Sequence, residues 1–388
     1  MMRILRLIPA LFILFSSGFA NAGAGKALSI ADVFTLDSGE TGETVTYYVS
    51  LPDGYSASHA EYPVIFVLDG DFNLSHLVGS HEVLVRTGYM PPAIIVGIVS
   101  EDRTYHFAPT ASEQYPNAGG AEKFTRFLKR ELIPALSQRY RTNGHKTLIG
   151  HSFGGLFASY SLVNHPELFD SYIIVAPALW WDKEVMLGQL QRANSESFIN
   201  KRLFFGIGED DGYGMKQEMR RFIEAMPAVQ GLSIEQSQFT NEGHMSAPLL
   251  TTYFGLKHIF SDMMLSEEIG KNFTANAFLQ HEKQMRETYG AEAKQSAETY
   301  VYLALELMEQ ERYADAAVVF ERNAQAYNTF ANSWYWLGQA YEKDGRLTDA
   351  LSSYEKAVEL ASQGRGTLAT FNDSVKRVRQ AITKNAEP

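Results

Sequence analysis

One serine in this chain stands where a hydroxyl could be made to react. Gly150-His151-Ser152-Phe153-Gly154 spells G-x-S-x-G, and Gly155 follows. The apolar run Thr147–Ile149 leads in, and a helix-like run, Leu156–Leu162, leads out. Strand, tight turn and helix form the context that lifts a serine above a sheet edge at the positive end of a helix. Such a turn holds the serine in a strained backbone conformation. The hydroxyl is a weak nucleophile at neutral pH, so it needs a base, and the base needs an orienting acid.

On a parallel sheet with this elbow, the order is serine, acid, histidine. The chain has ten histidines. His59, His76, His81, His106 and His145 precede the serine, and His151 sits inside the elbow, where it is expected to point away from the hydroxyl. His165 follows the elbow helix closely, and His258 and His281 fall on helical patterns. His244 remains, in the loop Thr240–Met245 after the strand-like Leu232–Phe239. The acid is expected after the strand Arg202–Ile207, in Gly208-Glu209-Asp210-Asp211-Gly212. Three adjacent carboxylates cannot all be buried, because like charges raise one another's pKa. Counting three residues from Gly208 gives Asp211, with Asp210 and Glu209 as alternatives. An oxyanion needs two backbone N–H donors. The first is Phe153, after the nucleophile. The second is expected in the loop after Val64–Leu68, at Asp71 or alternatively Phe72, with Gly70 turning the backbone toward the site.

The elements that must hold these residues read clearly. Pro63–Leu68, Ala93–Ile98, Thr147–Ile149, Tyr172–Val175 and Leu203–Ile207 are continuous apolar runs, as strands buried on both faces should be. Helical patterns at His76–Thr87, Gly120–Arg139, Leu156–Asn164 and Met215–Ala228 alternate with them, which predicts a mostly parallel, doubly wound sheet. Ligands in such sheets bind at the carboxyl ends of the strands, where Ser152 falls. Leu28–Leu36 and Thr44–Leu51 alternate in strand fashion and predict an antiparallel hairpin at the sheet edge.

After about Asp262 the chain becomes helical. Trp334, Leu337, Gly338, Tyr341, Ala350, Tyr354 and Ala357 follow the tetratricopeptide pattern. A degenerate copy precedes it at Tyr300, Leu303, Ala304, Leu307, Ala316, Phe320 and Asn323, the last replacing the usual alanine. Thr367–Lys384 reads as a capping helix. The expected organisation is residues 1–22 as a signal peptide, 23–262 as the catalytic domain, 263–296 as a helical linker, and 297–388 as a tetratricopeptide-like module packed against that domain.

Met1–Arg6 is a short basic segment, Leu7–Phe15 is apolar, and Ala20-Asn21-Ala22 supplies small residues for cleavage near Ala22. The apolar core falls short of the roughly 20 residues of a membrane span. A soluble periplasmic or secreted bacterial protein is expected, with no membrane span after cleavage. The 388 residues carry a formal net charge of −11, which argues against a nucleic-acid partner. There is no cysteine, which excludes disulfides, thiolate metal sites and a cysteine nucleophile. No metal ligand set accompanies the acidic loop, and no cofactor is expected.

Leu68-Asp69-Gly70-Asp71, Arg103…Pro109, Gly119-Gly120-Ala121…Glu131-Leu132-Ile133-Pro134, Tyr140-Arg141-Thr142, the elbow itself and Ala176–Trp181 together resemble the esterase branch of the α/β-hydrolases. That branch contains the enterobactin (trilactone siderophore) esterases, periplasmic ones included. The resemblance covers about Leu28–Asp262. It implies an α/β-hydrolase fold, with Ser152 as nucleophile and His244 as base. In some members serine and histidine act as a dyad, so the acid stays open here. The stretch between Val175 and Arg202 is too short for a large lid, so an open mouth for bulky esters is expected. Trp180 and Trp181 are candidates to stack on an aromatic acyl group. Arg103 is a candidate to hold an anionic group, or to pair with a loop carboxylate. The expected function is an exported serine esterase hydrolysing carboxylic esters through an acyl-enzyme, with siderophore trilactone-type esters as one candidate substrate. The alternatives are a polysaccharide acetyl or feruloyl esterase, an acyltransferase, or a non-catalytic protein that binds a partner through its repeats.

Overall fold

The computed structural model describes residues 28–362 and 368–386. The expected leader and its cleavage site lie outside the described residues. The strands are β1 (Asp32–Asp37), β2 (Thr44–Ser50), β3 (Tyr62–Leu68), β4 (Ile94–Ile98), β5 (Thr142–His151), β6 (Ser171–Val175), β7 (Arg202–Gly208) and β8 (Ser233–Phe239). They form one sheet in the order β1-β2-β4-β3-β5-β6-β7-β8. β1 and β2 pair antiparallel at one edge, and β2 joins β4 antiparallel. From β4 to β8 every pairing is parallel. β3 is buried at all seven positions, which explains its unbroken apolar run.

The helices around the sheet are α1 (Gly70–Arg86), α2 (Arg103–Phe107), α3 (Ala121–Phe127), α4 (Ile133–Arg139), α5 (Phe153–Asn164), α6 (Trp181–Leu190), α7 (Tyr213–Glu224) and α8 (Ala247–Ile259). A π-helical turn, Leu128–Leu132, joins α3 to α4, so the single helix expected over that stretch is nearly continuous. The main difference from expectation is α1. It starts at Gly70, inside the stretch read as a loop. Asp69, in the left-handed conformation at φ 53°, makes the turn from β3. Gly70 is needed for contact instead, since a Cβ there would lie 2.6 Å from the Gly97 backbone of β4.

The tail contains α9 (Glu267–Lys271), α10 (Ala275–Tyr289), α11 (Ala297–Glu309), α12 (Tyr313–Ala326), α13 (Ala331–Lys343), α14 (Leu347–Ala361) and α15 (Leu368–Ala386). α13 and α14 repeat α11 and α12 with a 34-residue offset. The repeat positions Leu337, Ala350, Tyr354 and Ala357, and Tyr300, Ala304, Ala316 and Phe320, are all buried.

α10 belongs to both bodies. Its Phe278 sits in the apolar core of the tail, while Met285 and Tyr289 sit in the core of the sheet domain. The Tyr289 hydroxyl donates to Asp262 Oδ1 at 2.7 Å, and Asp262 pairs with Arg202 at the start of β7. Ser58 Oγ donates to Glu292 at 2.9 Å, and the His145 ring, near the start of β5, meets Tyr289 edge-on at 5.4 Å. The tail therefore docks at the amino ends of the strands, the end of the sheet opposite to Ser152. Among the described residues no helix is long and apolar enough to cross a membrane.

Candidate active site

Ser152 joins β5 to α5 at φ 60° and ψ −113°, a conformation that non-glycine residues rarely adopt. Its backbone is held from both sides. Its N–H donates to the Val175 carbonyl at 3.0 Å, and its carbonyl accepts from Leu156 and Ala178. A Cβ on Gly150 would run into the Gly154 carbonyl, so the turn can close only with glycine there. Phe153 is the first residue of α5, so its N–H has no acceptor within the helix.

A second helix starts beside it. A Cβ on Gly154 would lie 3.4 Å from the Asp69 side chain, which precedes α1. The amino ends of α1 and α5 thus meet at Ser152, and both present positive dipole ends. The Phe72 N–H donates to the Asp69 carbonyl at 3.0 Å. The alternative oxyanion donor is therefore already spent, and Asp71, in the first turn of α1, is the one of the two that remains. The Phe72 side chain has another place, exposed on the wall of the cavity.

The three carboxylates after β7 part company. Asp211 turns back toward the strand and is 4% exposed. Its Oδ2 accepts from the Gly208 N–H at 2.8 Å, and its Oδ1 lies 2.6 Å from His244 Nδ1. Glu209 and Asp210 are exposed. Burial pushes the Asp211 carboxyl up. The hydrogen bonds from His244 and Gly208, with the nearby imidazoles, outweigh it and hold the group below the usual aspartate value. The carboxylate is therefore ionised at neutral pH, and His244 Nδ1 is the donor. Nε2 of His244 is left as the acceptor, the tautomer a general base requires.

Ser152, Phe153 and His244 line one cavity of about 610 Å³ with Asp69, Phe72, Asn73, His76, Arg103, His151, Met245, Pro248 and Leu249. Phe72, Met245 and Leu249 are all more than half exposed and make much of its wall apolar. Arg103, on α2, reaches this cavity but is already engaged. Its Nε and Nη2 donate to both oxygens of Asp69 at 2.5 and 2.9 Å, and Nη2 also donates to the His151 carbonyl at 3.3 Å. Burial raises the Asp69 pKa, opposed by this pairing. Of the two roles read for Arg103, pairing with a loop carboxylate is the one occupied.

The tryptophans are corrected. Trp181 is 1% exposed, and its Nε1 donates to the backbone and hydroxyl of Thr110. It is core, beyond the reach of a substrate. Trp180 is 38% exposed and packs edge-on against Phe153 at 6.0 Å, but it is not among the cavity walls. Composition could not separate them, because both suit a stacking surface and only one indole finds buried partners. His151 is a cavity residue that the sequence pattern did not single out. Its ring lies against that of His244, with centroids 4.5 Å apart. Its place in the elbow motif was the only sequence signal, and the contact depends on a loop far along the chain.

A mostly parallel eight-stranded sheet, with serine after β5, carboxylate after β7 and histidine after β8, defines an α/β-hydrolase. The chain belongs to the esterase family described as "Putative esterase", whose model matches residues 38–244. A tetratricopeptide-repeat model matches residues 331–363. The chain is 29% identical over 265 residues to the ferri-bacillibactin esterase BesA of Bacillus subtilis, covering 60% of this chain and 91% of that one. An IroE-like serine hydrolase from Shewanella oneidensis shares the fold at TM-score 0.61 and 24% identity, over 76% of this chain and 99% of the other. An uncharacterised protein from Capnocytophaga ochracea matches at TM-score 0.62 and 17% identity, over 90% of this chain and 99% of its own. That span extends the shared fold into the helical tail. The chain is thus a hydrolase of the esterase family with a tetratricopeptide-containing tail.

Proposed function

We propose that the protein is an exported serine esterase that cleaves carboxylic esters, siderophore trilactone-type esters foremost, through an acyl-enzyme. The observation that carries the mechanism is the 2.6 Å contact of Asp211 with His244 Nδ1, beside a serine held at positive φ in the same cavity. Ser152 Oγ attacks the ester carbonyl while its proton passes to His244 Nε2. The oxyanion is held by the N–H groups of Phe153 and Asp71. The C–O bond to the alcohol breaks, and His244 returns the proton to that leaving group. Water then attacks the acyl-enzyme with His244 again as base, releasing the acid and free Ser152. No metal is required in this sequence.

The substrate class is supported by kinship with a ferri-bacillibactin esterase and by a wide cavity with apolar walls. Export is supported by the leader-like pattern of residues 1–22. The tail holds a second cavity of about 710 Å³, walled in part by Tyr302, Phe330 and Trp336. Set away from the catalytic mouth, this surface is available to a protein partner. The test compares hydrolysis of trilactone siderophores with acetyl and feruloyl esters, using wild type and Ser152→Ala. A Ser152→Ala protein that still hydrolyses esters or still takes a fluorophosphonate label refutes the mechanism. Preference for acetyl or feruloyl esters refutes the substrate class.

A further inference from the structure

His151 is buried at 7% exposure, and its Nε2 has no hydrogen-bond partner. Its ring is therefore not held by that nitrogen. It packs against the His244 ring, with centroids 4.5 Å apart and planes inclined at 44°. Its backbone is pinned as well, since the Arg103 guanidinium, itself gripped by Asp69, donates to the His151 carbonyl. His244 is fixed at Nδ1 by Asp211. One hydrogen bond leaves a ring free to rock about it, and the His151 ring packed beside it limits that motion.

The charge state of His151 matters as much as its shape. Burial lowers its pKa to about 4, helped by the charges of His244 and Arg103. Pulls from the His244 carbonyl and from Asp211 oppose this without reversing it. Near neutral pH the base therefore faces an uncharged aromatic ring. When His244 becomes an imidazolium during acylation, the buried, uncharged His151 ring lies beside it as a π system, so cation–π attraction acts between the two rings while the rest of His244 stays open to the cavity.

We infer that His151 is a positioning residue for the base, its neutral ring both steadying His244 and supporting the imidazolium formed as Ser152 is deprotonated. The inference rests on the assignment of Ser152 and His244 as nucleophile and base. Support of this kind corresponds to roughly a tenfold effect on kcat/KM.

The test uses the full chain with His151→Leu, which fills the space without a π face, and His151→Phe, which keeps the face without nitrogens. Steady-state hydrolysis of p-nitrophenyl acetate is followed across pH. His151→Leu should lower kcat/KM about tenfold and move its acid limb down by about one pH unit, because the imidazolium loses its support. His151→Phe should stay within about threefold of wild type, with its acid limb unmoved or higher. A lesion of packing alone would lower the rate without moving the limb. Coincident acid limbs for wild type and His151→Leu overturn the inference, and so does a downward shift in His151→Phe, which decides alone if the leucine variant does not fold. Failure of the underlying assignment looks different: Ser152→Ala would then remain active.

Discussion

Replacing Asp211 by asparagine changes one atom and tests the whole catalytic arrangement. The carboxylate accepts two hydrogen bonds, one from the Gly208 N–H at 2.8 Å and one from His244 Nδ1 at 2.6 Å. An asparagine has one carbonyl oxygen for these two donors. If it keeps the buried Gly208 bond, its NH₂ faces Nδ1 and forces that nitrogen to accept. The proton moves to Nε2, and the base can no longer take one from Ser152. In serine proteases the same exchange costs about 10⁴ in kcat, on the order of 5 kcal/mol at the transition state. Here we expect a loss of about 10³–10⁴ in kcat with little change in KM. Asp210→Asn and Glu209→Gln, both at exposed positions, should stay within about twofold, because neither side chain touches His244. The assay is steady-state p-nitrophenyl ester hydrolysis, with circular dichroism to verify folding. An Asp211→Asn enzyme within tenfold of wild type would refute the reasoning and leave serine and histidine acting as a dyad.

Other outcomes follow from the same contacts. Trp181→Ala should cost about 3–5 kcal/mol in urea unfolding, as for large buried aromatics, whereas Trp180→Ala should cost far less. His81 and His151 are both buried with pKa values near 4, depressed below the unfolded value. The unfolded chain takes up these protons first, so stability falls as pH drops from about 6.5 to about 4, each histidine approaching roughly 3 kcal/mol. Urea melts at pH 7 and pH 4 measure this, and equal midpoints would contradict it. Glu282 is fully buried against Tyr300, Arg286 and Arg322. Glu282→Ala leaves two guanidinium groups without their shared carboxylate and should destabilise the tail by about 3–5 kcal/mol. Calorimetry should show that loss while esterase kinetics persist, since the tail joins the far end of the sheet.

Some of this protein was set by its sequence alone. The G-x-S-x-G turn, the buried strand runs and the 34-residue helical period follow from near-neighbour physics, and the order serine–acid–histidine follows from the sheet class that the elbow marks. A turn that excludes a Cβ demands glycine, and a strand covered on both faces demands an apolar run. Only the tertiary structure chose among Glu209, Asp210 and Asp211. Three adjacent carboxylates are equivalent to local rules, and the choice depends on where His244, 33 residues along the chain, meets them. Close packing sets that meeting, since any side chain at Gly208 would collide with the Glu242 carbonyl. The same reason buries Trp181, commits Arg103 to Asp69, lays His151 on His244 and sends the tail to the opposite end of the sheet. Each depends on a contact between residues distant in the chain, which no short window of sequence contains.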